Sequence, residues 1–141
     1  MEKLEMSTAV QQFFDEYEKG VNEQGAEFIM KFYGGSIMIS TLRGAYSFTN
    51  DDFARMLPKR KEFFDTTGLK SSSIVSMCEL DQSENFPIVK VIWKFHFEKM
   101  PSKPIDLQAE TTYVLQKYSD GLKIICQIDH QDLVEEIKKI E

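Results

Sequence analysis

The chain has 141 residues, of which 42% are hydrophobic and 28% are charged, and its formal net charge is −6. This length fits one ordinary domain, so we expect residues 1–141 to form a single domain. The acidic field repels phosphate backbones and no cluster of Lys and Arg reverses it, so nucleic acid is not an expected partner. The N-terminal residues lack a secretory pattern and no apolar run is long enough for a membrane span, so we expect a cytoplasmic protein without a membrane partner.

The first half of the chain has the 3.6-residue period of helices. An amphipathic helix is predicted from the apolar residues at helical spacing: Val10, Phe13, Phe14, Tyr17 and Val21. A short second helix, AEFIMKFY, is expected to end at Gly34 and Gly35, and the segments SIMIS and YSF read as two strands around the turn LRGA. Thr49 or Asn50 can then cap a third helix, which Pro58 is expected to kink or split.

From Ser71 onward the period changes to two, which predicts four strands: SSSIVSMCEL, FPIVKVIWKFHFEKM, IDLQAETTYVLQKY and LKIICQIDH. Helices followed by a meander of strands are typical of an α+β domain. The tail QDLVEEIKKIE can form a terminal helix. The face of the first of these strands stays open, because either Ile74 and Cys78 or Met77 and Glu79 can point toward the core.

The last hairpin sets the register of the sheet. If Asp120 and Gly121 are its central turn residues, Tyr113 lies opposite Ile128 and Thr111 lies opposite His130. The strict alternation then puts Glu110, Gln127 and Asp129 on the outer face, away from the helices.

The outer face is predicted to combine an apolar centre with a polar rim, as a modest protein interface does. Ile92, Val114 and Ile125 are expected near one another, while Lys94 and His96 pair across the strand with Glu110 or Gln108. The alternative is three scattered surface aliphatic residues. We expect self-association, through an interface formed by Ile92, Lys94, His96, Glu110, Thr112, Val114 and Ile125.

The cysteines and histidines give no sign of a metal centre. Cys78 and Cys126 lie in apolar runs without CxxC spacing, so we expect buried free thiols rather than metal ligands or a disulfide. The two histidines, His96 and His130, share no ligand spacing. No metal and no cofactor is therefore expected.

The order of elements carries a resemblance. The helix around QQFFDEYEKG, the short helix EFIMKFYGG running into SIMIS, the turn LRGA, the helix DDFARML and the meander ending at KIICQIDHQDL follow one another over nearly the whole chain. This order resembles the nuclear transport factor 2-like superfamily, which includes SnoaL-like and ketosteroid isomerase-like proteins. The resemblance implies a cystatin-like α+β cone, in which N-terminal helices pack in the concave face of a strongly curved, mainly antiparallel sheet, with dimerisation through the outer face.

The resemblance also implies a pocket on the aromatic, concave side of the sheet. The candidate ligand-binding residues are Tyr17, Tyr33, Trp93, Phe95, Thr111, Tyr113 and His130. The alternative for the aromatic residues is plain core, since a domain of this size must fill its interior. His130 is the candidate catalytic residue, against the interpretation of a structural histidine.

The leading hypothesis is a homodimer with a small apolar pocket that binds a hydrophobic or aromatic molecule. The first alternative is an isomerase or lyase with His130 as base and Tyr33 or Tyr113 as hydrogen-bond donor; the second is a protein-interaction module that uses the outer face. The inner positions of the last three strands contain no acid, which argues against an isomerase-type base. That argument holds unless a bulge inverts one strand, or Glu79 or Asp15 points inward.

Overall fold

The structure, a computed structural model, describes residues 6–23, 25–98 and 104–140. Its helices are α1 (Thr8–Glu23), α2 (Ala26–Ile29), α3 (Asn50–Thr66) and α4 (Leu133–Ile140), and a turn of 3-10 helix covers Met30–Phe32. Its strands are β1 (Tyr33–Thr41), β2 (Gly44–Thr49), β3 (Leu69–Asp81), β4 (Ile88–Phe97), β5 (Ile105–Tyr118) and β6 (Gly121–Asp129). The sequence also predicts a longer connection at MPSKP, between the second and third strands of the meander, and this segment lies largely outside the described residues.

The six strands form one sheet in the order β2-β1-β6-β5-β4-β3. Strands β3 to β6 form the predicted antiparallel meander, and β1 joins it by pairing in parallel with β6. The predicted α+β class is confirmed, with N-terminal helices, a mainly antiparallel sheet and a short C-terminal helix. No helix of the described ranges is long and apolar enough to cross a membrane.

Of two local predictions about breaks in the chain, the one at Gly34 and Gly35 was wrong, and of the kink or split expected at Pro58 the split does not occur. Gly34 and Gly35 lie inside β1 rather than between a helix and a strand. Helix α3 continues through Pro58, because the lost hydrogen bond is offset by turns on either side that bury Phe53 and Phe64. The predicted cap is confirmed, since the Thr49 hydroxyl accepts a hydrogen bond from the backbone N–H of Asp52 at 3.1 Å.

The face of β3 changes along the strand because the pairing with β4 has an irregularity at Val75. Ile74 lies opposite Trp93 and faces inward, whereas Cys78 is exposed, so the prediction that this thiol is buried was wrong. Glu79 is buried, and its Oε1 accepts a hydrogen bond from the backbone N–H of Ser7. Both cysteines are free thiols, as predicted.

The core lies between α1 to α3 and the concave side of the sheet. Phe14, Leu115 and Ile124 are fully buried there, and Val89 and Val91 line the same side of β4. A second apolar cluster closes one end of this space, where Leu133 and Ile137 of α4 pack with Phe64, Phe97 and their neighbours. Burial of these large side chains supplies most of the driving force for this arrangement.

Candidate functional site

The site depends on one irregularity in β6. Leu115 pairs with Ile124, but the next residue of β5, Val114, pairs with Cys126, so Ile125 is an extra residue in the ladder. A one-residue insertion reverses which face the following side chains occupy. Beyond Ile125, the inward positions of β6 are therefore Gln127, opposite Tyr113, and Asp129, opposite Thr111.

This register corrects two sequence predictions. Asp129 lies on the inner face and not on the outer one, and His130 lies on the outer face and not in the concave site. The hairpin turn is also displaced, because Tyr118 pairs with Gly121, which leaves Ser119 and Asp120 as the central turn residues. A prediction that assumes uninterrupted alternation in β5 and β6 gives neither the observed faces of Asp129 and His130 nor the displaced turn.

A chain of hydrogen bonds runs through the interior. The Tyr17 and Tyr33 hydroxyl oxygens are 2.8 Å apart, and the Tyr33 hydroxyl donates to Gln127 Oε1 at 2.9 Å. Gln127 Nε2 donates to Asp129 Oδ1 at 3.2 Å, and the Thr111 hydroxyl contacts the same oxygen at 3.4 Å. We call these five residues the polar chain; it connects the buried phenol of Tyr17 to the half-buried carboxylate of Asp129.

The polar chain lies within a cluster of aromatic rings. Trp93 Nε1 donates to the Tyr113 hydroxyl at 3.0 Å, and both residues are buried. The Tyr17 ring lies 6.0 Å from the Trp93 ring and 6.1 Å from the Tyr113 ring, between ring centroids. Phe95 stacks on Trp93 at 6.2 Å and extends the cluster toward the α4 end.

Burial keeps the three phenols protonated. It raises the pKa of Tyr17, and it raises the pKa of Tyr33 and Tyr113 well above the ordinary tyrosine value. Neutral phenols keep their O–H donors at neutral pH and above. The Tyr33 O–H is used by Gln127, and the Tyr17 O–H by Tyr33. The Tyr113 hydroxyl accepts from Trp93 and keeps its own O–H for an acceptor, while Asp129 supplies an acceptor or a base.

Most of the predicted ligand-binding residues come together in the structure. Tyr17, Tyr33, Trp93, Thr111 and Tyr113 meet in this aromatic cluster and polar chain, with Phe95 at its edge. Sequence reasoning placed Gln127 and Asp129 on the wrong face. One indication of their inward position came from the sequence, namely that a bulge in a strand would reverse the faces of the residues that follow it.

The acids named as conditional exceptions lie elsewhere. Asp15 is exposed on α1, beside a shallow depression between α1 and β3. Glu79 faces inward next to Val89, where it holds the start of α1 through Ser7 rather than contacting the tyrosines. Among the described residues, no group of three or more His, Cys, Asp or Glu side chains could hold a metal ion.

On the outer face, His130 belongs to a polar cluster. Its Nε2 lies 2.8 Å from the Thr112 hydroxyl, and its Nδ1 lies 3.9 Å from Glu110, which also pairs with Lys90 at 3.2 Å. His96 contacts Asp106 at 2.6 Å and Glu98 at 3.1 Å rather than Glu110 or Gln108. The hydrogen bonds to Asp106 and then Glu98 raise the pKa of His96.

The apolar part of the outer face differs from the prediction. Ile92 lies opposite Glu110, four residue pairs along the ladder from the pair Ile88 and Val114. Val114 is instead one of four residues that lie side by side on neighbouring strands; these are Ile88, Val114, Cys126 and Met38, here called the apolar row. The row exists because the bulge turns Cys126 outward, next to Met38 of β1.

The architecture and this interior define the class of fold. No protein-family model matches the chain, and no curated protein matches its sequence. Several solved structures are nevertheless similar along most of its length. The chain therefore has the fold of the NTF-2-like, or cystatin-like, proteins, as predicted.

Three solved structures illustrate this similarity. Aln2 from a Streptomyces species superimposes with a TM-score of 0.74 at 9% identity, covering 99% of this chain and 100% of Aln2. The beta subunit of benzoate 1,2-dioxygenase from Burkholderia mallei gives 0.70 at 9% identity, covering 96% and 95% of the two chains. An NTF-2-like protein of unknown function from Shewanella oneidensis gives 0.65 at 15% identity, covering 87% and 97%.

Proposed function

We propose that the interior of the cone binds a small hydrophobic or aromatic molecule that carries a hydrogen-bonding group. The observation that supports this proposal is the polar chain from Tyr17 through Tyr33 and Gln127 to Asp129. A core that only fills space has no need of such groups, and buried polar groups cost stability unless they are paired. A few polar groups within an aromatic lining are typical of ligand sites.

The ligand enters at the Asp129 end of the polar chain. Asp129 is half-buried, whereas Tyr17 and Tyr33 are buried deeper in the cone. Trp93 and Tyr113 offer ring surface to an apolar body, and the Tyr113 hydroxyl, which accepts from Trp93 Nε1, offers its own O–H to a carbonyl or hydroxyl oxygen. The site therefore suits a ligand with one flat apolar part and one polar group.

A first test combines native mass spectrometry of the purified protein with calorimetric titration of 2-naphthol. We expect one ligand per chain, either co-purified or taken up during titration. The Tyr33→Phe variant, which keeps the ring and loses the hydroxyl between Tyr17 and Gln127, is expected to bind about tenfold more weakly. Tyr46→Phe, at a half-exposed position on β2, is the matched control and should bind as the wild type does.

The proposal would be wrong if the wild type carried no added mass and gave no heat of binding with 2-naphthol. Equal affinities of the wild type and Tyr33→Phe would place the ligand outside the polar chain.

A second candidate function is proton transfer next to a carbonyl group, and the inward position of Asp129 favours it. A carboxylate beside an aromatic site, with protonated phenols nearby, has the groups needed to remove a proton and stabilise the resulting enolate. In this candidate, Asp129 replaces His130 as the base, because His130 faces outward.

We also propose that the chain forms a homodimer through the outer face of the sheet. The apolar row crosses four strands, its members are exposed or half-buried, and charged groups such as Lys90 and Glu110 lie beside it. An apolar centre with a polar rim suits a self-complementary interface. Met38 is 47% exposed, so its burial in the interface would remove apolar surface from water and stabilise the dimer.

The interface is tested with Val114→Lys, which puts a charge into the apolar row. Sedimentation velocity should show a dimer for the wild type and a monomer for this variant, since an unpaired charge in an interface core is strongly unfavourable. Gln12→Lys, which adds the same charge on the exposed side of α1, should remain dimeric. A monomeric wild type, or a dimeric Val114→Lys variant, would contradict this interface.

A further inference from the structure

Arg60 occupies an unexpected place on α3. The side of this helix that faces the core carries Phe53, Met56, Leu57 and Phe64, at spacings of three, four and seven residues. Arg60 falls on the same stripe, between Leu57 and Phe64, where the period calls for an apolar residue. Its Cα therefore lies on the side of α3 that faces the core, and the Arg60 side chain is exposed to solvent.

Aromatic packing holds the guanidinium in place. The Arg60 guanidinium carbon lies 5.0 Å from the centre of the Phe64 ring. Phe64 is itself buried, in the cluster that also contains Phe97 and Ile137 at the α4 end of the core. A guanidinium stacked on a fixed ring loses less conformational freedom when it binds an anion.

Within the described part of the chain, Arg60 differs in its ion pairing from two other cations of α3. Arg55 pairs with Asp52 at 3.4 Å and Lys61 pairs with Asp65 at 2.9 Å. Among the described residues, Arg60 forms no ion pair, in a chain with a net charge of −6. A cation without a carboxylate partner, on the core-facing stripe of a helix, is free to meet an anionic ligand.

The charge of Arg60 acts on the proposed site. It lowers the pKa of Tyr17 and Tyr33 against the larger effect of burial, whereas Asp129 raises the pKa of Tyr17. The guanidinium and the carboxylate therefore both lie within electrostatic range of the Tyr17 phenol. The polar chain has a positive group on its α3 side and a negative group on its β6 side.

We propose that Arg60 determines ligand specificity by binding an anionic group, so that the preferred ligand is an aromatic or alicyclic carboxylic acid. This inference rests on the proposed binding function. The ring of the ligand lies against the aromatic cluster, and its carboxylate meets Arg60 at the end of the core that Phe64 helps to close. A neutral ligand of the same shape lacks that contact and binds more weakly.

The test compares 2-naphthoate with 2-naphthol, which share a ring system and differ in charge, by calorimetric titration of the full chain. The wild type should prefer 2-naphthoate. Arg60→Gln should weaken 2-naphthoate binding about tenfold and leave 2-naphthol binding unchanged, and Arg60→Lys should keep part of the preference. Arg55→Gln, on the same helix but paired with Asp52, is the control and should change neither affinity.

The outcomes separate the two proposals. If 2-naphthol binds and Arg60→Gln leaves 2-naphthoate affinity intact, or weakens both ligands equally, the role of Arg60 is wrong while the binding site stands. If neither ligand binds to the wild type, the binding function is wrong, and this inference with it.

Discussion

Replacing Phe14 by alanine is expected to lower the free energy of unfolding by about 3–5 kcal/mol. Phe14 has no exposed surface, and its ring lies 5.0 Å from that of Phe13 and 5.2 Å from that of Tyr113. It joins the buried side of α1 to β5, so its removal leaves a cavity that rigid neighbours on both elements cannot fill. Domains of this size are stable by roughly 5–15 kcal/mol, so the loss is a large share of the total.

Urea unfolding followed by circular dichroism measures this change. The matched control is Phe86→Ala, because Phe86 is 49% exposed before β4 and should shift the free energy of unfolding by less than about 1 kcal/mol. A Phe14→Ala variant as stable as the Phe86→Ala variant would mean that α1 is not packed into the core as described.

The second large effect concerns Asp129. If the interior transfers protons, the protein should accelerate deuterium exchange at the carbons next to the carbonyl of 2-tetralone, and Asp129→Asn should lower that acceleration by about 10²–10⁴-fold. The amide keeps the shape of the carboxyl group and its contacts with Gln127 and Thr111, but it cannot accept a proton from carbon. Exchange is followed by proton NMR in heavy water.

Asp106→Asn is the control for this experiment, because Asp106 lies on the outer face beside His96. Near-ultraviolet circular dichroism should show that both variants keep the packing of the aromatic cluster. A wild type that does not accelerate exchange would exclude this reaction of 2-tetralone, and an Asp129→Asn variant with full activity would exclude Asp129 as the base.

Local patterns in the sequence predicted most of the elements. The helical period of α1, the cap at Thr49 and the alternation in β4 depend on residues close together in the chain, and all three appear in the structure. Pro58 did not interrupt α3, because burial of Phe53 and Phe64 outweighs one missing hydrogen bond. Tertiary packing can override a local preference of this size.

The site itself was predicted in part. The inward positions of Trp93 and Tyr113 followed from the alternation, because no bulge interrupts the pairing of β4 with β5. Gln127 and Asp129 were placed on the wrong face, because the alternation in β6 favours Cys126 and Ile128 as inner residues. The observed arrangement puts polar residues inside and apolar residues outside, which is a local conflict of the kind found at functional sites.

The sequence by itself determined the order of helices and strands, the aromatic side of β4 and the fold class. Only the tertiary structure decided which face of β6 meets the interior. The reason is that the partners that satisfy the inward polar groups come from distant parts of the chain: the Tyr33 hydroxyl on β1 and the Thr111 hydroxyl on β5. A bulge at Ile125 is favourable only when those partners are in place, and no pattern within β6 records them.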